Sequence, residues 1–298
     1  MPRTITVAAA QFNLEPLDSL AAYRAKITRW VEDAVGQGAE LLVFPEYGAM
    51  ELCSIGGKGH DLELSKHAVS DSYGEVTSLH QCLAKKHGIT IISGSAPDVK
   101  LGKTCNTAQV FGPNGATHNF TKIMPTPGER EVWNIQGGRE LKVFDISKVK
   151  FGLLICYDIE FPLLSRALAE AGAEIILAPS DTETEWGYNR VRTGAMARAL
   201  ENQVYTLQAP LIGQAPFCEF TSRHFGAAGI FAPSDKGFPA GGVIAMGEPN
   251  KPQWLVANLD LDLMHSLRTN GNVQTYNHWP EQMGAGKLPP AHVIDLLK

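Results

Sequence analysis

Two stretches, GQGAELLVFPE at residues 36–46 and EAGAEIILAPSD at residues 170–181, repeat one pattern: the end of a helix, a glycine, Ala-Glu, a short apolar run and a proline. An apolar run of this length closed by proline reads as a buried strand whose carboxyl end is fixed in place. Two such units predict two matching halves. If both strands run the same way, Glu46 and the Ser180-Asp181-Thr182 stretch arrive at one edge, where α/β proteins place their sites.

Around these units the periodicity supplies the remaining elements. TITVAAAQF (residues 4–12) reads as a buried first strand, and Asp18 or Ser19 is positioned to cap a helix carrying Leu20, Tyr23, Ile27, Trp30, Val31 and Ala34 on one face. A helix over 72–87 and a strand ITIISGS follow. KTCNTAQVF and ATHNFTKI then form a β pair ending at Lys122, and strands LKVF and KFGLLIC lead to Cys156. Pro162 begins a helix through 172, residues 188–202 form another, and strands recur near VYTLQA, FGAAGIF, GGVIAM and QWLVANLDL. No low-complexity linker divides the chain. The expectation is a single layered α/β domain over 1–298, with residues 265–298 an extension that reaches a neighbouring subunit.

Composition narrows the function classes. With 298 residues, 44% of them hydrophobic and 19% charged, the chain can bury a sizeable core without staples. Its 26 basic residues against 31 acidic ones give a formal charge of −5 and no basic footprint for nucleic acid. There is no apolar run long enough to span a membrane and no secretory signal in MPRTITVAAAQF, so the expectation is a cytoplasmic protein with no membrane partner. Five cysteines at 53, 82, 105, 156 and 218, without a CxxC pair, suit neither a disulfide framework nor zinc. The nine histidines include no HxxxH, and His80 and His87 read as one solvated helix face; no metal or cofactor is indicated.

Three residues then stand out chemically. A cysteine at the end of a buried strand and the start of a helical turn, as in CYDIEFP, meets backbone N–H groups that favour thiolate; the alternative is a small buried hydrophobe. No histidine occupies a comparable strand end. Glu46 offers a carboxylate whose partial burial raises its proton affinity, so that it can act as a base; the alternative is a solvated loop acid. Lys122 brings a cation to the sheet edge, where it would balance a buried carboxylate or bind an oxyanion together with the Tyr157 N–H. LGKT at 101–104 lacks the first glycine of a phosphate loop, and no GxSxG occurs.

Taken in order, FPEY (44–47), TKIMPTPGER (121–130) and ICYDIEFP (155–162) resemble the three catalytic motifs of the carbon-nitrogen hydrolase (nitrilase) superfamily, over roughly residues 4–262. The resemblance implies a four-layer α-β-β-α sandwich, a catalytic triad of Glu46, Lys122 and Cys156, and a supporting glutamate at Glu129 in preference to Glu131. It also implies a homodimer or higher homo-oligomer paired through the helices at 162–172 and 188–202. The reaction expected is hydrolysis of a small amide through a thioester without a cofactor. The sequence shows Cys156-Tyr157-Asp158 where true nitrilases usually show Cys-Trp-Glu, which resembles the amidase and carbamoylase branches and disfavours a nitrilase; no residue decides between the two, a plain amidase is the first choice and an N-carbamoyl amidohydrolase the second, with a nitrilase or a silent binding protein behind both. Tyr47, Asp158, Asp181, Thr182 and Trp186 are the substrate-binding candidates, Trp186 either lining the pocket or covering the contact between subunits. Replacing Cys156 or Lys122 by alanine is expected to end turnover without unfolding the chain.

Overall fold

The computed structural model describes residues 2–100, 102–287 and 289–297. The strand Thr4–Asn13 sets the layering, because its side chains alternate between two different cores. Ile5, Val7 and Ala9 point to one side, where they meet a second sheet; Ala8, Ala10 and Phe12 point to the other, against helices. A slip of one residue would exchange the two sets, so the register is fixed from both faces.

Leu41–Val43 lies parallel between Thr4–Asn13 and Thr90–Lys100, and Lys103–Phe111 and Thr117–Thr121 extend this sheet antiparallel. Gln253–Asp260 pairs antiparallel with the other side of Thr4–Asn13. The second sheet runs through Leu141–Asp145, Lys150–Leu153, Ile175–Ser180 and Tyr205–Gln214, and the two sheets share ladder bonds where Phe12 and Asn13 meet Leu211 and Ile212. Helices Leu20–Gly36 and Tyr73–His87 cover one outer face; Pro162–Glu170 and Glu185–Asn202 cover the other. This is the four-layer α-β-β-α sandwich that the sequence predicts.

The first helix starts where the Ser19 hydroxyl accepts the Ala22 N–H at 3.2 Å. It buries Tyr23, Ile27, Val31 and Ala34 at helical spacing. The matching halves are explicit in the hydrogen bonds. Glu40 donates to the Thr6 carbonyl (2.8 Å) and accepts from Thr90 (2.9 Å), while Glu174 donates to the Lys150 carbonyl (2.8 Å) and accepts from Tyr205 (2.9 Å). Their carboxylates cross over: Glu40 pairs with Lys148 at 2.6 Å and Glu174 with Arg3 at 2.7 Å. Each half's acid thus holds a base that stands just before a strand of the other half, Lys148 before Lys150–Leu153 and Arg3 before Thr4–Asn13.

One expectation is corrected, and two features add to the sequence reading. His80 is fully buried, stacked on Phe111 with its Nδ1 bonded to the Val76 carbonyl, and is no part of a solvated face. A helix at Leu62–Asp71, capped by Asp61, occupies sequence that gave no helical signal. The described residues of the segment from 265 pack on their own chain: Ala291–Asp295 adds to the open edge of Leu141–Asp145, Leu296 is buried, and Tyr276 stacks between Arg166 and Arg268. Covering that edge removes unpaired backbone groups that would otherwise recruit another strand. Leu288 and Lys298 lie outside the described residues.

Candidate active site

Glu46, Lys122 and Cys156 come from three separate strand ends and line one cavity of about 310 Å³ together with Tyr47, Glu129 and Tyr157. Each is placed by local structure. After Leu41–Val43 the chain turns at Pro45, and the turn is gripped by the bulged strand Thr90–Lys100, whose Ser95 donates its N–H to the Pro45 carbonyl at 3.2 Å. Gly94, at φ 80°, permits that approach, since a Cβ there would fall 2.0 Å from the Pro45 carbonyl oxygen.

Lys122 follows Thr117–Thr121, with its N–H bonded to the Asn106 carbonyl at 2.9 Å. Glu129 is set by a capping box. Thr126 accepts the Glu129 N–H at 3.3 Å, the Glu129 carboxylate accepts the Thr126 N–H at 2.7 Å, and Pro127 opens the short helix Pro127–Glu131. Cys156 begins the 3-10 turn Cys156–Glu160 at φ 50°, a left-handed conformation that non-glycine residues seldom adopt. The strand before it ends at Leu153, earlier than the sequence pattern suggests.

The polar groups form one network. Lys122 Nζ lies 2.7 Å from both Glu46 Oε1 and Glu129 Oε2. Asn106 Nδ2 donates to Glu46 at 2.8 Å and Glu129 at 3.1 Å, and the Tyr47 hydroxyl donates to Glu129 at 2.6 Å. The second Glu46 oxygen accepts the Asp181 N–H at 2.9 Å, and the Cys156 thiol lies 3.5 Å from the Asp181 carbonyl. Asp181 therefore touches acid and thiol alike through its backbone, as the repeated strand pattern predicts. Its carboxylate accepts from His224 Nδ1 at 2.7 Å and the Thr221 hydroxyl at 2.6 Å.

Burial and charge set the proton affinities. Burial pushes the Glu46 carboxyl up to about 7, against the opposing pull of Lys122. Burial disfavours the Lys122 ammonium, but Glu46 and then Glu129 outweigh it and hold its pKa well above the ordinary value. Burial also works against ionised Glu129, yet Lys122, Tyr47 and Thr126 pull its pKa down. Burial, then Glu46, hold the Cys156 thiol well above the ordinary value, which corrects the expectation that the turn favours thiolate.

The candidates for substrate contact divide. Tyr47, Asp181 and Thr182 line the cavity, although the Thr182 hydroxyl is engaged with the Phe225 carbonyl at 2.9 Å. Asp158 does not line it. Its fully buried carboxylate accepts the N–H groups of Ile123 (3.2 Å), Met124 (2.7 Å) and Ile155 (3.1 Å), tying the segment after Lys122 to the turn before Cys156. Trp186 is 80% exposed at the start of Glu185–Asn202 and borders an outer groove that adjoins the cavity through Glu160 and Arg190; it is not itself among the cavity's lining residues. Glu131 is exposed. Asn106, Trp133, Glu160, Arg190, Thr221 and His224 belong to the site or its support and carried no spacing signal. Asn106 stands in a strand that also carries Lys103, Thr104, Thr107 and Gln109, so nothing in the pattern marks it.

Asp158→Ala is expected to strand three buried donors and lower stability by about 3 kcal/mol or more, with Asp158→Asn costing less because one acceptor oxygen remains. Thermal unfolding of both variants checks this, and equal, small losses would contradict the bracing role.

The fold, the clustered side chains and the sequence agree on a class. The sequence model of the carbon-nitrogen hydrolase family matches residues 6–269, and the chain belongs to that family. Among relatives, a probable hydrolase, YhcX, of Bacillus subtilis is 33% identical over 91% of this chain, which spans only 52% of that relative's length. A nitrilase of Pyrococcus abyssi is 28% identical over 89% of this chain and 94% of its own length. Of solved structures, a carbon-nitrogen hydrolase from Helicobacter pylori superposes with a TM-score of 0.74 at 19% identity, covering 89% of this chain and 92% of that one. An amidase from Nesterenkonia sp. does so with a TM-score of 0.68 at 23% identity, covering 89% and 96%. Among the described residues no helix is long and apolar enough to cross a membrane, and no group of three or more His, Cys, Asp or Glu is arranged to hold a metal ion.

Proposed function

We propose that this chain hydrolyses a small non-peptide amide through a thioester on Cys156, with Glu46 as general base and Lys122 as oxyanion donor. The observation that carries the reading is the convergence of one thiol, one buried acid of raised proton affinity and one doubly held ammonium in a single cavity. Because the resting thiol is neutral, attack is coupled to proton transfer: Sγ bonds to the amide carbon as its proton passes to Glu46. Lys122 Nζ and the Tyr157 N–H stabilise the tetrahedral anion, a donor of this kind being worth about 3 kcal/mol. Glu46 returns the proton to the departing ammonia or amine, then activates the water that releases the acid. Glu129 holds the Lys122 ammonium in place, and no cofactor enters the scheme.

Relatives support the amide reading: an omega-amidase of Danio rerio is 33% identical over 60% of this chain, and the Nesterenkonia amidase carries acrylamide added at its active-site cysteine. A screen of amides, N-carbamoyl compounds and nitriles for ammonia release tests it. Turnover of amides is the expected result; turnover of nitriles alone, or of nothing, would reject it. Exposed Leu163 and Leu200 on the outer helices suit the proposed pairing with a second copy, and sedimentation reads that directly.

The base must be ionised to accept the thiol proton, so kcat/KM is expected to be flat above about pH 7 and to fall roughly tenfold per unit below it. The sign for stability is opposite. Between the ordinary 4.5 and about 7 the folded chain keeps a proton that the unfolded chain releases, so the contribution of Glu46 to stability declines as pH rises through that window.

A further inference from the structure

We infer that His224 is a positioning residue: by holding the Asp181 carboxylate, it fixes the peptide that contacts both Glu46 and Cys156 and neutralises a charge facing the base. The inference rests on the proposed roles of Glu46 and Cys156, and its geometry is independent of them.

Asp181 contributes its N–H to Glu46 at 2.9 Å and its carbonyl to the Cys156 thiol at 3.5 Å. A peptide in that position sets the spacing between base and nucleophile, where displacements of the order of an ångström are costly. What holds the peptide is its own side chain, clamped by His224 Nδ1 at 2.7 Å and the Thr221 hydroxyl at 2.6 Å. His224 is 3% exposed, so the clamp is shielded from water and the Asp181–His224 interaction is correspondingly strong.

Charge gives the clamp a second effect. Glu46 is faced by Lys122, Glu129, Asp181, Tyr47 and Cys156, and the Asp181 carboxylate raises its proton affinity, as Glu129 does. His224 is faced by Asp181, Glu183 and Cys218; burial disfavours its cation, but Asp181 outweighs burial and raises its pKa. In its charged form, which Asp181 favours, the imidazolium offsets an anion that otherwise raises the proton affinity of Glu46. Removing the cation and removing the anion should move the base in opposite directions.

The test follows alkylation of Cys156 by 2-chloroacetamide across pH, quantified by peptide mass spectrometry so that the exposed Cys82 does not interfere. In the unaltered protein the rate should show an acid limb near pH 7. His224→Gln is expected to move that limb up, and Asp181→Asn to move it down, each by ~0.5–1 pH unit, the size expected for one charge changed nearby in a partly screened site. Thr221→Val, which removes a bond and no charge, should slow alkylation several-fold and leave the limb in place. A merely structural histidine would lower the rate without moving the limb, and limbs unmoved in both charge variants overturn the inference. If His224→Gln fails to fold, Asp181→Asn decides alone, because it keeps the shape of the side chain while deleting the charge. An unaltered protein with no acid limb would instead remove the base role of Glu46, and the inference with it.

Discussion

Cys156→Ala is expected to lower amide turnover by ~10⁴-fold or more while the protein keeps its fold and its melting temperature. Both parts follow from the structure. The thiol is the group in the cavity that can bond to carbon, whereas its contribution to the fold is a long 3.5 Å contact with the Asp181 carbonyl. Alanine at φ 50° is strained no more than cysteine, so the turn should survive. Ammonia release by the purified variant, alongside a melting curve, reads both at once; retention of even a tenth of the activity would remove Cys156 from the mechanism.

Lys122→Ala should behave differently: turnover is expected to be lost, as the sequence reading has it, and the structure adds a cost in stability. Lys122 is 1% exposed and bridges two buried carboxylates at 2.7 Å each. Deleting it leaves Glu46 and Glu129 joined through Asn106 with no cation between them, and breaking a buried pair in this way costs about 3–5 kcal/mol. The variant is expected to lose both turnover and stability, with a melting temperature lower by several degrees. Adding Glu129→Gln should restore part of the stability without restoring activity. If Lys122→Ala melts like the unaltered protein, the buried triad of charges is not what the distances imply.

The layers were legible because the two Ala-Glu-apolar-Pro stretches differ little from each other and alternate cleanly with amphipathic helices. The catalytic candidates stood out as polar groups near strand ends, and the resemblance of their three motifs to the carbon-nitrogen hydrolase family singled them out. Beyond that, the sequence carried less. Asp158 sits in the same motif as Cys156, and nothing in its spacing distinguishes a group that meets substrate from one that accepts three backbone N–H groups. Trp186 stands in a polar run that leads to the cavity, but its own side chain turns outward at the helix start. His224 and Thr221 lie about forty residues beyond Asp181, and only the third dimension places them beside it. His80 was misread as solvated because it was paired with His87, although it falls at helical spacing with Val76, Leu79, Leu83 and Ala84 on the buried face and stacks on Phe111.

The acids along the cavity wall have a consequence for what happens after the chemistry. Glu160 and Glu183 stand in the wall with Glu46 and Glu129, against Lys122 and Arg190. In the proposed reaction a neutral amide would enter such a surface without electrostatic penalty, but the carboxylate formed would carry the sign of the surroundings and be driven outward. Discharge would then be built into the proposed reaction, and the acid formed is expected to inhibit the protein only weakly.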